Sequence, residues 1–300
     1  MAEFLAPAAD TPRRLRDLLS DRTPVLAPGV YDALGARLVE EAGFDAVYMT
    51  GFGTAAGLLG RPDVGLLTMT EMVDNAHRIA RATSLPLIAD ADTGYGNAIN
   101  VVRTVQEYEQ AGVAALHLED QVMPKRCGHM EGKQVVPADE MVTKVRAAVA
   151  ARSSDDLVII ARTDAGAVEG FDAAIERARR YRDAGADVLF VEAATTEAEV
   201  ERIATELDDV PLLFNWAEGG KTPPLPLDRI RELGFAIVIF PVGLLLATVQ
   251  AARATLAAIK GSGTPLPVLD RLLGFGDFLG FIGLPEIRAL EQRFVDPAGE

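Results

Sequence analysis

Short apolar runs rich in β-branched residues recur along the chain, separated by segments whose apolar positions fall at helical spacing. The runs are PVLAPGV (24–30), AVYMT (46–50), LPLIAD (85–90), AALHLED (114–120), LVIIART (157–163), VLFVEA (188–193), PLLFN (211–215) and FAIVIFP (235–241). Segments such as EMVTKVRAAVAAR (140–152) and DAAIERARRYRDAGA (172–186) predict amphipathic helices between them. Gly43, Gly112 and Gly185 follow three of these helices, where a left-handed stop is expected. Strands alternating with helices imply a parallel sheet, and eight such units predict a closed (β/α)8 barrel of the TIM type. An open doubly wound sheet is the alternative, weakened because no G-x-G-x-x-G follows the first strand.

No linker or break in composition interrupts the pattern, so residues 1–300 read as one domain. Residues 261–300 form a C-terminal helical appendage to it, either a cap on the barrel or an oligomer contact that supplies residues to a neighbouring site. The longest apolar run, Phe235 to Ala252, approaches the length of a membrane span, but Pro241 and Gly243 divide it. A buried strand followed by a core-facing helix is expected there, not a membrane segment.

Composition narrows the range of functions. The net charge of −15 argues against nucleic-acid binding, which needs a basic footprint. It leaves an anionic small molecule open, since a local cluster of cations reverses the sign inside one pocket. The one cysteine excludes an internal disulfide and suits a reducing cytoplasm. The first twenty residues, MAEFLAPAADTPRRLRDLLS, lack the apolar core of a secretory signal and are expected to belong to the mature protein.

Barrel chemistry gathers at the C-terminal ends of the strands. Those ends bring Tyr48, Thr50, Asp90, Asp92, Glu119, Arg162, Glu192 and Asn215, with Asp63 in the long segment after the second strand. Five carboxylates at one mouth repel unless a cation is present. Their oxygens are hard donors without zinc-type His/Cys spacing, which favours Mg2+, or Mn2+ as a substitute. Asp90 and Asp92 could instead cap a helix, and Arg162 could serve as a structural partner of the acids as well as a clamp on a substrate carboxylate. His117 shares the Glu119 face and is expected to be a packing residue; His77 is expected on a helix surface.

The cysteine lies in EDQVMPKRCGHMEGK (119–133), a polar stretch in which its thiol could serve as an acid or nucleophile. Together with DADTGYGN (90–97), LHLEDQ (116–121), ARTDA (161–165) and NWAEGGKTP (215–223), PKRCGH (124–129) resembles the isocitrate lyase and phosphoenolpyruvate mutase superfamily over nearly the whole chain. The K-R-C-G-H element is similar to the mobile loop of its carbon–carbon lyases. Details lean toward the 2,3-dimethylmalate lyase group, with 2-methylisocitrate lyases close behind. Phe52 after Thr50-Gly51 and Ala217 depart from the latter and favour a smaller, more apolar malate derivative over a tricarboxylate.

The resemblance implies a set of roles. Asp92 is the direct metal ligand, while Asp63, Asp90 and Glu119 act mainly through water. Backbone around Thr50, Gly51 and Phe52, aided by Arg162, holds the hydroxyacid or ketoacid portion, and Tyr48 lies near the hydroxyl that loses its proton. Glu192, Asn215, Gly128 and His129 hold the second carboxylate. Cys127 donates the proton that quenches the carbanion, with Lys125, Arg126 and His129 expected to favour its thiolate. A 2-hydroxy di- or tricarboxylate would thus be cleaved by retro-Claisen chemistry. Oxaloacetate hydrolysis or decarboxylation, or carbon–phosphorus chemistry, is the alternative within the same superfamily. The resemblance also implies a homotetramer built from helix-swapped dimers.

Overall fold

The computed structural model describes Leu5 and residues 10–21, 23–128 and 130–295. They fall into two compact units, one running from Asp10 to Leu245 and the other comprising Leu5 and the residues from Leu246 onward. The first contains eight strands: β1 Val25–Val30, β2 Val47–Met49, β3 Leu87–Asp90, β4 Ala115–Glu119, β5 Val158–Thr163, β6 Val188–Val191, β7 Leu213–Asn215 and β8 Ile237–Phe240. Every ladder is parallel, in the order β6-β5-β4-β3-β2-β1-β8-β7. An isolated parallel bridge, Leu189 to Leu212, joins the two ends and brings the sheet close to a complete barrel.

Helices α1 Thr11–Ser20 and α2 Ala33–Glu41 flank β1; α3 Gly51–Leu59 and α4 Met69–Ala82 follow β2. Then α5 Ala98–Ala111, α6 Ala138–Ala151, α7 Phe171–Asp183, α8 Glu197–Glu206 and α9 Leu227–Glu232 follow β3 to β7 in turn, and α10 Gly243–Ser262 follows β8. Local chemistry sets several of their ends. Thr68 with Glu71, and Thr196 with Glu199, form reciprocal capping boxes that satisfy the first amides of α4 and α8. Gly43, Gly112 and Gly185 stand just past α2, α5 and α7 with φ of 82°, 90° and 105°, as the sequence predicts.

Period-two alternation divides the core into two layers. Val47, Met49, Leu87, Ala89, Leu116, Leu118, Ile159 and Leu189 face outward against the helices. Val25, Tyr48, Ile88, Ala115, Ile160, Phe190 and Ile237 fill the barrel interior, where Leu15 of α1 joins them. The polar residues Asp90, His117, Glu119 and Arg162 keep the inward phase, so an apolar plug lies beneath a polar mouth.

The run from Phe235 to Ala252 splits as expected into β8 and the start of α10, and no helix of the described residues is long and apolar enough to cross a membrane. One expectation fails. The helix α10 is less buried than a core helix: none of its residues is buried, though Leu244 at its start packs against the barrel core. The barrel unit also carries an apolar groove of about 370 Å3, lined by Leu26, Leu38, Val39, Phe44, Phe240 and Leu244 among others. In the second unit, a 3-10 turn at Leu266–Arg271 precedes α11 Phe275–Phe281 and α12 Leu284–Val295, and neither helix has a buried residue. Residues 261–300, insofar as they are described, lie within this unit.

Candidate active site

Parallel register brings the polar residues to one level. Asp90 pairs with His117 and Glu119 with Arg162 across adjacent strands. Tyr48, Thr50, Asp63, Asp90, Asp92, Glu119, Arg162 and Glu192 are all buried, and Asn215 is half-buried at the end of β7. His77 is exposed on α4, as expected.

Asp90 and Asp92 belong to one tight turn. The Asp92 amide donates to Asp90 Oδ1 at 2.9 Å, and Asp92 takes φ 48°, a left-handed conformation that Asp adopts more readily than most residues. The Gly51 amide donates to Asp90 Oδ2 at 3.2 Å, and the Thr50 amide donates to the Val30 carbonyl. Two of the three amides expected to meet substrate are therefore engaged within the protein; Phe52, half-buried, is the third position.

Lys125 reaches in from the loop after β4, with Nζ 2.6 Å from Asp63 Oδ2 and 2.7 Å from Asp92 Oδ1. Burial opposes its charge, but Asp92, Asp90, Glu119 and Asp63 hold it firmly protonated. Burial, reinforced by Asp90 and Asp63 against the pull of Lys125, raises the Asp92 carboxyl to about 6. Burial also lifts Glu119 well above the carboxylate range despite Arg162 and Lys125. Asp90 goes the other way: burial opposes its charge, but His117, Lys125, Arg162 and the Asp92 amide outweigh it. Since burial pushes His117 itself down to about 4, that ring is neutral near pH 7 and the two cations are what keep Asp90 ionised.

Among the described residues, the buried Glu119 Oε1 accepts no hydrogen bond, and Asp92 Oδ1 meets only the Lys125 ammonium, at 2.7 Å. Among the described residues, no three His, Cys, Asp or Glu side chains converge to grip an ion directly. The donor set therefore fits a hard divalent cation that keeps much of its water, held by one carboxylate with others at second remove.

Arg162 is the hub of the opposite wall. Its Nη1 is 3.3 Å from Glu119 Oε2, and its Nε and Nη2 form a fork on Asp164 at 2.9 and 3.1 Å. Nη2 also lies 3.7 Å from Glu192 Oε2, and the guanidinium sits over the Phe190 ring. Glu192 Oε2 accepts from Asn215 Nδ2 at 3.0 Å. Deeper in the barrel, the Tyr48 hydroxyl and His117 Nε2 are 2.9 Å apart. Burial, then the nearby Asp90 charge, keeps the phenol protonated. His117 is thus packed, as expected, and also bonded to a residue of the site.

The loop carrying Cys127 is folded down on this mouth. The Cys127 amide donates to the Asp63 carbonyl at 3.3 Å, and the Gln121 side chain both donates to and accepts from the backbone of Arg126. A Cβ on Gly128 would fall 2.6 Å from Arg162 Nη2 and 2.7 Å from Glu192 Cδ, so only glycine comes this close. The cations expected around the thiol are partly engaged elsewhere: Lys125 with the acids, and Arg126 Nη1 with the Glu131 carbonyl. His129 lies outside the described residues.

Three charged residues around the mouth were not singled out from the sequence. Asp120 turns away from Glu119 to take Thr163 Oγ1, the Asp164 amide, Tyr181 and Arg177. Asp164 receives Arg162 and Lys133, and Lys133 also reaches the Gly128 carbonyl. The signal for the two acids was a further carboxylate within two residues of a strand-end site residue, in LHLED and ARTD; Lys133 had none of this kind.

Residues 15–260 match the family model described as phosphoenolpyruvate phosphomutase. The chain belongs to the phosphoenolpyruvate mutase and isocitrate lyase superfamily. Within this superfamily it is 47% identical to 2,3-dimethylmalate lyase of Eubacterium barkeri, over 95% of this chain and 98% of that one. It is also 47% identical to 2-methylisocitrate lyase of Aeropyrum pernix, over 90% and 86%. A crystal structure of 2,3-dimethylmalate lyase superposes with TM-score 0.90 at 42% identity, covering 96% of each chain. Oxaloacetate acetylhydrolase bound to 3,3-difluorooxalacetate superposes with TM-score 0.91 at 39% identity, over 95% and 98%. The superfamily barrel is thus the fold of this chain, and the chain is an enzyme of this superfamily.

Proposed function

We propose that this enzyme is a carbon–carbon lyase that cleaves a 2-hydroxy di- or tricarboxylate into a 2-oxoacid and a carboxylate. The preferred substrate is a 2-alkylmalate such as 2,3-dimethylmalate, with 2-methylisocitrate next. The observation that carries this reading is the loop of Cys127 folded down so that its neighbour Gly128 packs against Arg162 and Glu192, at a mouth otherwise lined by acids and cations.

The hard oxygens suit Mg2+, or Mn2+ in its place, bound directly by Asp92 and through water by Asp63, Asp90 and Glu119; when bound, it supplies fixed positive charge for the oxyanionic end of the substrate. Arg162 and the start of α3, from Thr50 to Phe52, hold the hydroxyacid portion. Tyr48, kept neutral, donates a hydrogen bond where the substrate oxygen gains charge. The hydroxyl proton passes to an ionised carboxylate of the mouth such as Asp90, which returns it through solvent to the thiolate once the products leave; the C–C bond breaks, and its electron pair passes to the departing carboxylate fragment. Cys127 Sγ–H gives that carbon its proton and is later reprotonated, so atoms and charge balance. Asn215, Glu192, Gly128 and His129 hold the far carboxylate, while Lys125 offsets the acids and the closed loop excludes water.

The same reading extends to assembly and location: a cytoplasmic homotetramer built from dimers that exchange α10. Its support is that no residue of α10 is buried and that the barrel unit carries an apolar groove.

A second reading, hydrolysis of oxaloacetate, draws on the likeness to oxaloacetate acetylhydrolase. A panel of 2,3-dimethylmalate, simpler 2-alkylmalates, 2-methylisocitrate, isocitrate and oxaloacetate with Mg2+, read by mass spectrometry, separates the two. Release of a 2-oxoacid from an alkylmalate, abolished in Cys127→Ser, supports the lyase. Turnover of oxaloacetate alone, indifferent to Cys127, replaces it with the hydrolase.

A further inference from the structure

We propose that Lys133 and Asp164 form a latch that holds the Cys127 loop closed, acting as positioning residues for the reaction rather than touching substrate. Lys133 Nζ lies 2.5 Å from the Gly128 carbonyl and 2.7 Å from Asp164 Oδ1. The first acceptor belongs to the loop itself, next to the thiol. The second belongs to the barrel wall.

The wall end is rigid. Asp164 is fully buried, and Arg162 forks onto its carboxylate from β5. Its amide is pinned by Asp120 Oδ1 at 2.8 Å, and Asp120 in turn takes Thr163, Tyr181 and Arg177. A buried ammonium is costly unless its donors find acceptors, so Lys133 favours the arrangement in which both acceptors are present. That arrangement is the closed loop. Lifting Gly128 off Arg162 and Glu192 would remove one acceptor from a buried cation, and closing restores it.

Lys133 differs in this from Lys125. Lys125 closes the loop onto Asp63 and Asp92, whose charge changes when a cation binds. The Lys133 contact lies outside that acid cluster and works on the far side of the thiol, so closure there is independent of the metal. Gln121 clamps the loop at Arg126, and Lys133 clamps it at Gly128, one residue to either side of Cys127.

The inference rests on the proposed role of Cys127, but its test does not need substrate. Because the chain has one thiol, alkylation by iodoacetamide reports on this loop alone. Hydrogen–deuterium exchange over residues 121–133 gives a second readout that is insensitive to thiol ionisation. In Lys133→Met, both rates should rise at least about tenfold, the factor expected for losing one charge-assisted hydrogen bond, and kcat should fall more than KM changes. Lys133→Gln keeps a donor for the Gly128 carbonyl and should show a smaller rise; it replaces the methionine variant if that one does not fold. Alkylation and exchange unchanged from wild type would overturn the latch and leave Lys133 as a mere counter-charge for Asp164. Failure of the lyase reading would show separately, as a wild-type enzyme inactive on every 2-hydroxy acid.

Discussion

Lys125 and Asp63 form a buried ion pair at 2.6 Å that ties the Cys127 loop to the long segment between α3 and α4. One ammonium thereby offsets acids that would otherwise repel one another at the mouth of the barrel. Removing it should be costly when no other cation is available. Lys125→Met is expected to destabilise the metal-free protein by about 3–5 kcal/mol, the range for leaving a buried charge unpaired. Mg2+ should recover part of that loss, which thermal melts with and without the ion will measure.

Asp92 gives the site a pH dependence. Burial raises its carboxyl to about 6, above the value of about 3.9 expected in the unfolded chain. Between these values the fold binds a proton that the unfolded chain does not, so the metal-free protein gains stability as pH falls through that window. A cation must displace this proton. Calorimetric titration with Mg2+ should find affinity level above about pH 7 and falling about tenfold per unit below 6.

Asp164 has the opposite sign. Burial opposes its charge, but Arg162 and Lys133 together hold the carboxyl far below its usual range. Its contribution to stability is complete above the unfolded value near 4 and is lost progressively as pH falls from there toward the folded value. Urea unfolding between about pH 5 and 2.5 should show this slope in the wild type and a shallower one in Asp164→Asn, which has no proton to bind.

Gly128→Ala probes closure from the other side. The added methyl group meets Arg162 Nη2 and Glu192 Cδ within 2.6 and 2.7 Å, so the loop must stand off the mouth. A drop in kcat/KM of about a hundredfold is expected, the scale of a misplacement of about 1 Å. The melting temperature should fall by a few degrees as well, because a loop that stands off takes the Gly128 carbonyl from the buried Lys133 ammonium.

Much of the barrel is legible from residue pattern alone. Each of the eight apolar runs contains a strand, and the inward phase that buries Ile88 and Ala115 also carries Asp90 and Glu119 to the mouth. Local periodicity suffices there because a strand sends alternate side chains to opposite faces. It does not suffice for α10, whose apolar residues resemble those of a core helix yet none of which is buried. Nor could it find Lys133 and Asp164, which lie 31 residues apart and meet only because a loop folds back on a strand end. The motif around Cys127 points to chemistry; how that loop is held down depends on distances no spacing reveals.

The seam between β6 and β7 has the sparsest backbone pairing in the barrel, a single isolated bridge at Leu189 and Leu212. Above it, Asn215 and Glu192 join the same two strand ends through their side chains. The residues proposed to grasp the far end of the substrate are therefore also the stitches of the barrel wall. Discrimination at that end and the integrity of the wall draw on the same two side chains. Remodelling the pocket there for a longer or shorter acid would mean resewing the seam, whereas changes around Thr50 and Phe52 leave it untouched.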